Sequence, residues 1–349
     1  MIQNNYLIIM AGGVGSRFWP MSTAETPKQF LDILGLGKTL IQQTIERFDG
    51  IVDPKNILVV TSKAYKAIVQ EQCPELKEEN ILLEPCMRNT APCIAYASYK
   101  IAKENPNANI VVAPSDHLIT NTNDFQSVVR NGLKFVSENE ALLTIGIQPH
   151  RPETGYGYIQ IEDPKTTEII NPVKAFKEKP NLETAESYIK AGNYFWNSGI
   201  FFWSVKSIIT AIETHIPEVA EIFQRGNAVY GSSKEQEFID SEYPGCINIS
   251  VDYGIMEKAN NIFVHSGDFG WSDLGTWGSL WEKRSKDNQG NAVVGDEVKL
   301  FDSSNCIVHM PENKKVVIQG LEDYIVVESK GTLLICQKKE EQRIKEFQK

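Results

Sequence analysis

Between Leu7 and Lys28, a short apolar run, Leu7-Ile8-Ile9-Met10-Ala11, opens into Gly12-Gly13-Val14-Gly15-Ser16-Arg17 and, past a polar turn, Pro27-Lys28. Glycine tolerates positive φ and lets backbone approach a ligand, so this spacing presents free N–H groups beside one guanidinium and one ammonium. That combination makes a seat for a polyphosphate, with Arg17 as a planar fork and Lys28 as a point charge. Two better-known phosphate loops do not fit. The dinucleotide fingerprint accepts Gly13 and Gly15 but meets Phe18 where it needs its last glycine. Gly37-Lys38-Thr39 looks like the tail of a P-loop, yet Asp32 stands where that loop needs glycine, so Lys38 reads as a turn residue.

Other residues of chemical interest follow apolar strands. Glu84 comes straight after Ile81-Leu82-Leu83. A carboxylate accepts two hydrogen bonds and the guanine Watson–Crick edge offers two adjacent donors, so Glu84 is a candidate selector of guanine. Thr90, a little further on, reads either as a helix cap or as part of the same binding segment. Asp116 follows Ile110-Val111-Val112-Ala113. It reads either as a ligand for a hard divalent cation on phosphate oxygens or as a turn aspartate. His117 beside it is a packing or hydrogen-bonding residue, because Mg²⁺ prefers oxygen. Asp273, between glycines and tryptophans in Gly270-Trp271-Ser272-Asp273-Leu274-Gly275, is the natural second oxygen ligand. Backbone amides at Gly155 or Gly157 can meet a sugar. Asn197, inside the aromatic run 194–203, needs a polar partner that a sugar hydroxyl would supply. Glu178-Lys179 alone reads as a solvated pair at a strand end.

These residues must be positioned by elements that alternate. Apolar strands near 57–60, 81–83 and 110–113 are separated by helical spacing over 39–48, 65–72 and 91–103, which argues an α/β fold with a doubly wound, Rossmann-like parallel sheet and ligands at the carboxyl ends of its strands. Leu142 to Ile147 is another strand, and Gly155 to Ile161 a loop running into an antiparallel one. Asp252 is expected near the cap of a helix that begins at Val251. From about Asp287 the pattern becomes short alternating strands, so residues 1–286 are expected to form the catalytic domain and 287–349 a small all-β domain with β-helix-like coils, ending in a charged helix over 338–348.

With 349 residues, 42% of them hydrophobic, the chain can build such a pair of domains. Its formal charge of −10 argues against non-specific nucleic-acid binding. No apolar run approaches the roughly 20 residues of a membrane span, and the start is too polar for a signal peptide. A cytoplasmic protein without a membrane is expected. The six cysteines form no Cys-x-x-Cys pair and read as reduced, partly buried thiols.

Together, Gly12 to Arg17 with Pro27-Lys28, Glu84-Pro85, Arg88-Asn89-Thr90-Ala91-Pro92, Pro114-Ser115-Asp116-His117, Gly155-Tyr156-Gly157-Tyr158, Glu178-Lys179-Pro180, Asn197-Ser198-Gly199 and Trp271-Ser272-Asp273 resemble the motifs of the sugar nucleotidyltransferase family, in family order and over essentially the whole chain. The Arg88 to Pro92 and Trp271 to Asp273 segments point to its guanylyl- and mannose-using branch. The resemblance implies GTP and mannose-1-phosphate as substrates, GDP-mannose and pyrophosphate as products, and Mg²⁺ held by Asp116 and Asp273. It implies a nucleotide site of Ala11, Gly12, Gly13, Gly15, Ser16, Arg17, Lys28, Glu84, Asn89, Thr90, Ser115 and Asp116. It implies a sugar-phosphate site of Tyr156, Gly157, Glu178, Lys179 and Asn197, with Arg17, Lys28, Asp116, Lys179 and Asp273 as the catalytic set. A left-handed β-helix at the carboxyl end and a homo-oligomer, a dimer, are further expectations. Longer relatives carry a phosphomannose isomerase domain, and isomerase activity is not expected here. The alternatives are a sister enzyme for another nucleotide or hexose-1-phosphate, or a silent regulatory subunit of the same fold. The latter would lack one of Arg17, Lys28, Asp116 and Asp273, all of which are present.

Overall fold

A computed structural model of the chain describes residues 2–13, 15–163 and 165–348; Val14, on the glycine loop, lies outside the described residues. The chain divides into two compact units. The larger holds the residues up to Gly12, Ile45–Ser115 and Ile119–Trp271, and the smaller holds 13–44, 116–118 and the chain from Ser272 onward.

In the larger unit the strands are β1 (Asn5–Met10), β2 (Ile57–Ser62), β3 (Ile81–Glu84), β4 (Asn109–Pro114), β5 (Leu142–Ile147), β6 (Gly157–Ile161), β7 (Ile170–Glu178), β8 (Tyr194–Ser204) and β9 (Ile262–Gly267). They form one sheet in the order β3-β2-β1-β4-β8-β5-β9-β7-β6. The first four run parallel, with Leu7 opposite Ile57 and Val111, and Ser62 opposite Glu84. Leu7, Ile8 and Ile9 have no exposed surface, because helices cover both faces of a parallel sheet and its strands become continuous apolar runs. The helix Thr122–Glu138 shows the covering pattern, burying Phe125, Val128, Val129, Leu133 and Val136 on one stripe.

The sheet is mixed rather than wholly parallel. β8 inserts between β4 and β5 and runs antiparallel to both, with Trp203 opposite Ile110 on one side and Leu142 on the other. This is where the aromatic run belongs: Phe201, Phe202 and Trp203 are buried in the middle of the sheet. A strand buried on both faces has no polar alternation to betray its direction.

In the smaller unit, β10 (Ala292–Val294), β12 (Ile307–His309) and β14 (Tyr324–Ser329) stack in parallel, as do β11 (Val298–Phe301) and β13 (Val316–Gln319); β15 (Thr332–Gln337) closes antiparallel on β14. These are coils of the kind expected, turning at Asp302, Asn305, Asn313 and Asp323, all at positive φ, where short polar side chains are tolerated. Asn291 secures the first coil by donating to Asp287 and the Ser303 carbonyl while accepting from Cys306 N–H. The expected terminal helix forms as a 3₁₀ stretch, Lys338–Arg343, running directly into a short α-helix, Ile344–Phe347. Fully buried Ile344 joins Phe18, Leu274 and Trp277 in one apolar cluster. The six cysteines are free thiols, four of them buried.

Glu235 shows how the larger unit handles a buried charge. It is 7% exposed and accepts from Tyr96 Oη at 2.8 Å, from Lys100 Nζ at 2.8 Å on both oxygens, and from Gly231 N–H at 2.7 Å. Removing Lys100 would leave a buried carboxylate without its counter-charge. Lys100→Met is therefore expected to destabilise the fold by about 3 kcal/mol, read as a lower urea midpoint with an unchanged m-value; an unmoved midpoint would show that the pair contributes nothing.

Candidate active site

In the smaller unit the glycine loop, Lys28 and two remote carboxylates converge. Gly15 caps the turn Ser16–Phe18 at φ 64°, and a Cβ there would stand 2.5 Å from the Lys28 Cβ, so only glycine fits. Lys28 is 3% exposed. Its ammonium donates to Asp116 Oδ2 at 2.7 Å and to the carbonyls of Asp273 at 2.8 Å and Leu274 at 3.0 Å, which engages all three of its protons. Arg17 is exposed, and its Nη1 lies 3.3 Å from the Gly275 carbonyl. Gly15, Ser16, Arg17, Lys28, Asp116, His117 and Asp273 line a cavity of about 300 Å³. Burial pushes the Asp116 carboxyl up, but the Lys28 ammonium and then His117 outweigh it, leaving Asp116 below the usual carboxylate range. Asp273 accepts from Gly275 N–H at 2.9 Å. Two carboxylates facing one polar cavity fit a hard divalent cation that takes its other ligands from phosphate oxygens and water. Among the described residues there is no cluster of three or more acidic, histidine or cysteine ligands that would form a cage for the ion by itself.

The larger unit carries the other residues in two clusters. Gly157 opens β6 opposite Glu178, the last residue of β7. A Cβ on Gly157 would fall 2.2 Å from Glu178 Oε1, so the carboxylate packs against bare backbone. The Glu178 side chain is only 5% exposed, whereas that of Lys179 is 60% exposed and reaches Glu178 Oε2 at 2.6 Å. Lys179 also holds a left-handed φ of 45°, with its N–H donating to the Tyr156 carbonyl. Burial works to lower the Lys179 ammonium, but Glu178 outweighs it and holds it above the usual lysine range. Tyr156 packs edge-on against Trp196 and Trp271, each 5.3 Å away between ring centres.

Asn197 has found a polar partner inside the protein. Its Oδ1 accepts from Thr144 and from Gly199 N–H, and its Nδ2 donates to Asp252 Oδ1 at 2.9 Å. Asp252 is thus a member of this cluster as well as the residue near a helix start that its sequence position suggests. It begins a wide turn, Asp252–Met256, in which Glu257 N–H bonds the Asp252 carbonyl five residues back. Such turns recur at functional sites. Burial, then the neighbouring Glu178, pushes the Asp252 carboxyl up to about 6. The sequence signal for it is an acid opening a helix beside a glycine, which is too common to single out.

The second cluster lies at the carboxyl ends of β1, β3 and β4. Glu84 is 6% exposed, and burial pushes its carboxyl up to about 7 although the Tyr243 hydroxyl bonded to it pulls the other way. Thr90 corrects one expectation. The helix Thr90–Glu104 is capped by Asn89, whose Oδ1 accepts from Thr90 N–H, while the Thr90 hydroxyl accepts from Val251 N–H at 2.9 Å. Asn89 holds φ 68°, which a short amide side chain tolerates. Ala11 and Ser115 are buried, with Ala11 N–H bonded to the Val60 carbonyl and Ser115 N–H to that of Met10. Gly12 and Glu84 face each other. Gly13 belongs to the smaller unit, where its carbonyl accepts from Gln29.

The chain matches the nucleotidyl transferase family over residues 6–290 and the MannoseP isomerase/GMP-like β-helix domain over 295–349. It is 35% identical to a mannose-1-phosphate guanylyltransferase of Escherichia coli, covering 97% of this chain and 74% of that one. It is 37% identical to the alginate biosynthesis protein AlgA of Pseudomonas aeruginosa, covering 97% and 70%. Among solved structures it resembles one described as a mannose-1-phosphate geranyltransferase from Thermus thermophilus, at a TM-score of 0.88 and 29% identity over 99% of this chain and 98% of that one. No helix among the described residues is long and apolar enough to cross a membrane. The nucleotidyl transferase family generally uses a divalent metal. Matched over both of its parts and along nearly all of its length, the chain belongs to the mannose-1-phosphate guanylyltransferase family of nucleotidyl transferases.

Proposed function

We propose that this protein transfers GMP from GTP to mannose-1-phosphate, releasing pyrophosphate and forming GDP-mannose. The observation that carries the reading is the Arg17, Lys28, Asp116 and Asp273 constellation around one cavity, in a chain of this family. A phosphate oxygen of mannose-1-phosphate attacks the α-phosphorus of GTP in line. The new O–P bond forms as the bond from the α-phosphorus to the bridging oxygen breaks, and that electron pair leaves with pyrophosphate. The nucleophile is already an anion, so no general base is required, and positioning with charge neutralisation supplies the rate.

The roles follow from exposure and partners. Arg17, exposed at the cavity, offers its guanidinium to the departing phosphates, with the Gly15–Ser16 backbone beside it. Lys28 is committed to Asp116 and two carbonyls, so we assign it to holding the nucleotide-phosphate site in shape rather than to first contact with phosphate. A divalent cation, taken here as Mg²⁺, would be held by Asp116 and Asp273 and would neutralise charge on the phosphate oxygens. Lys179 grips the phosphate of the sugar substrate, and Glu178, Asn197, the Gly157 N–H and Asp252 read its hydroxyls, with Tyr156 at their side. Glu84 selects guanine, near Ala11, Gly12, Asn89, Thr90 and Ser115. Residues 1–286 form the catalytic portion and 287–349 the β-helix-like portion, a division the matched ranges support. A homodimer in the cytoplasm completes the reading.

Pyrophosphate release from a panel of nucleoside triphosphates against hexose-1-phosphates tests it. GTP with mannose-1-phosphate is expected to lead; a preference for another pair would replace the assignment, and silence with every pair would point to the regulatory alternative. Asp116→Asn is expected to lower kcat by at least about a hundredfold, and near-normal turnover at saturating Mg²⁺ would remove Asp116 from the metal site. Arg17→Ala is expected to lower kcat more than it weakens mannose-1-phosphate binding; the opposite split, from initial rates over both substrates, would place Arg17 on the sugar phosphate instead.

A further inference from the structure

Glu84 does not stand alone. It ends β3 almost fully buried, and its Oε1 accepts a hydrogen bond from the hydroxyl of Tyr243, a residue with no exposed surface and 159 positions away in sequence. Its other oxygen, Oε2, lies 3.3 Å from where a Cβ on Gly12 would stand, so it faces the start of the glycine loop. The Tyr243 ring is fixed by edge-on packing against Phe223, 6.0 Å between centres. Its segment is stapled to the one that follows Glu84: the Arg88 guanidinium donates to the Pro244 carbonyl, Ala91 N–H to that of Ile249 at 3.1 Å, and Val251 N–H to the Thr90 hydroxyl. The phenol is thereby delivered to one carboxylate oxygen by a frame with little freedom to move.

What that contact does follows from the chemistry of the base. Guanine presents N1–H and the 2-amino group side by side, and only an acceptor pair matches them; a protonated carboxyl offers a donor where an acceptor is needed, and a rotated carboxylate turns its acceptors out of line. A buried carboxylate drifts toward protonation unless a donor holds it. Each carboxylate oxygen has two acceptor positions, so Oε1 can keep the Tyr243 bond and still take part in a second one. We propose that Tyr243 is a positioning residue for guanine selection, its hydroxyl fixing Glu84 so that the carboxylate turns acceptor oxygens toward the donor edge of the base. The inference rests on the reading of Glu84 given above, and it extends base recognition to a residue that need not touch the nucleotide.

The test compares wild type, Tyr243→Phe, Glu84→Gln and the double variant with GTP, ITP and ATP at saturating mannose-1-phosphate. ITP keeps N1–H but lacks the 2-amino donor, so the ratio of kcat/KM for GTP to that for ITP reads the paired hydrogen bonds. Tyr243→Phe removes one oxygen and keeps the buried ring. It is expected to reduce the GTP/ITP ratio about tenfold, through the KM for the nucleotide, with the KM for mannose-1-phosphate unchanged. In the Glu84→Gln background it should add nothing, because it acts through that carboxylate. If Glu84→Gln lowers discrimination but Tyr243→Phe leaves it intact, or if the two effects simply add, the positioning role is wrong while the base reading stands. If Glu84→Gln itself leaves discrimination intact, the base reading fails and this inference with it. Should Tyr243→Phe fail to fold, Phe223→Leu, which loosens the ring and keeps the hydroxyl, must lower the same ratio; an unchanged ratio there overturns the proposal.

Discussion

One ammonium ties the smaller unit together. Lys28 Nζ spends its three protons on Asp116, from the short middle segment, and on the Asp273 and Leu274 carbonyls, from the long final segment, while Lys28 itself belongs to the first. Three stretches separated by scores of residues thus meet at a single atom. Burying a lysine costs desolvation, and an ammonium proton left there without an acceptor would add to that cost. The fully engaged geometry avoids this, and it also fixes the Asp116 carboxylate directly and the backbone from which the Asp273 carboxylate projects. The Phe18–Trp277 packing, 5.0 Å between ring centres, and Ile344 reinforce the same arrangement from the apolar side. The β-coils and the chain's last helical stretch belong to the same compact unit as Gly15 and Lys28.

The larger unit solves a different problem. Its polar clusters sit mostly near strand ends, so their side chains leave a sheet whose interior is largely apolar, with a few buried polar side chains such as Thr61, Thr144 and His265. Glu178 and Asp252 are two acids in one neighbourhood, and each needs a compensating group: Lys179 for the first, the Asn197 amide for the second. Asp252 is compensated less completely and is the one pushed up toward neutral pH.

Most of this is legible where chemistry forces residue choice. The glycine loop stands out because close backbone approach restricts what can stand there, and Lys28, Asp116 and Asp273 meet at one cavity as their spacing suggests, while the Glu178-Lys179 pair reads as solvated charges until family likeness draws it out. What stays hidden depends on long-range pairing. Tyr243 carries no local signal, since only the fold brings it to Glu84. Asp252 is masked by its plausible place near a helix cap. Thr90 suggests itself as a cap because threonine caps are common, but its hydroxyl is claimed by Val251 from across the unit, and Asn89 takes the position instead. The antiparallel β8 escapes for a related reason: a doubly buried strand shows hydrophobicity without direction.

Asn89, Lys179 and Leu274 all hold positive φ without being glycine, and each lies in a separate motif: after Glu84, after Glu178 and after Asp273. A left-handed residue of that kind costs about 1 kcal/mol or more, so it persists only where surrounding contacts determine it. Here they do. The Asn89 side chain caps its own helix, the Lys179 N–H and ammonium are both bonded, and the Leu274 carbonyl is one of the three acceptors around Lys28. In each case a carboxylate is followed in the chain by a residue in the left-handed region whose conformation is held by defined contacts. That conformation keeps an acidic side chain at the edge of its element while the chain turns away, and a relaxed backbone would carry the same carboxylate along the strand or loop instead. The acids are therefore placed by the contacts of their neighbours as much as by their own.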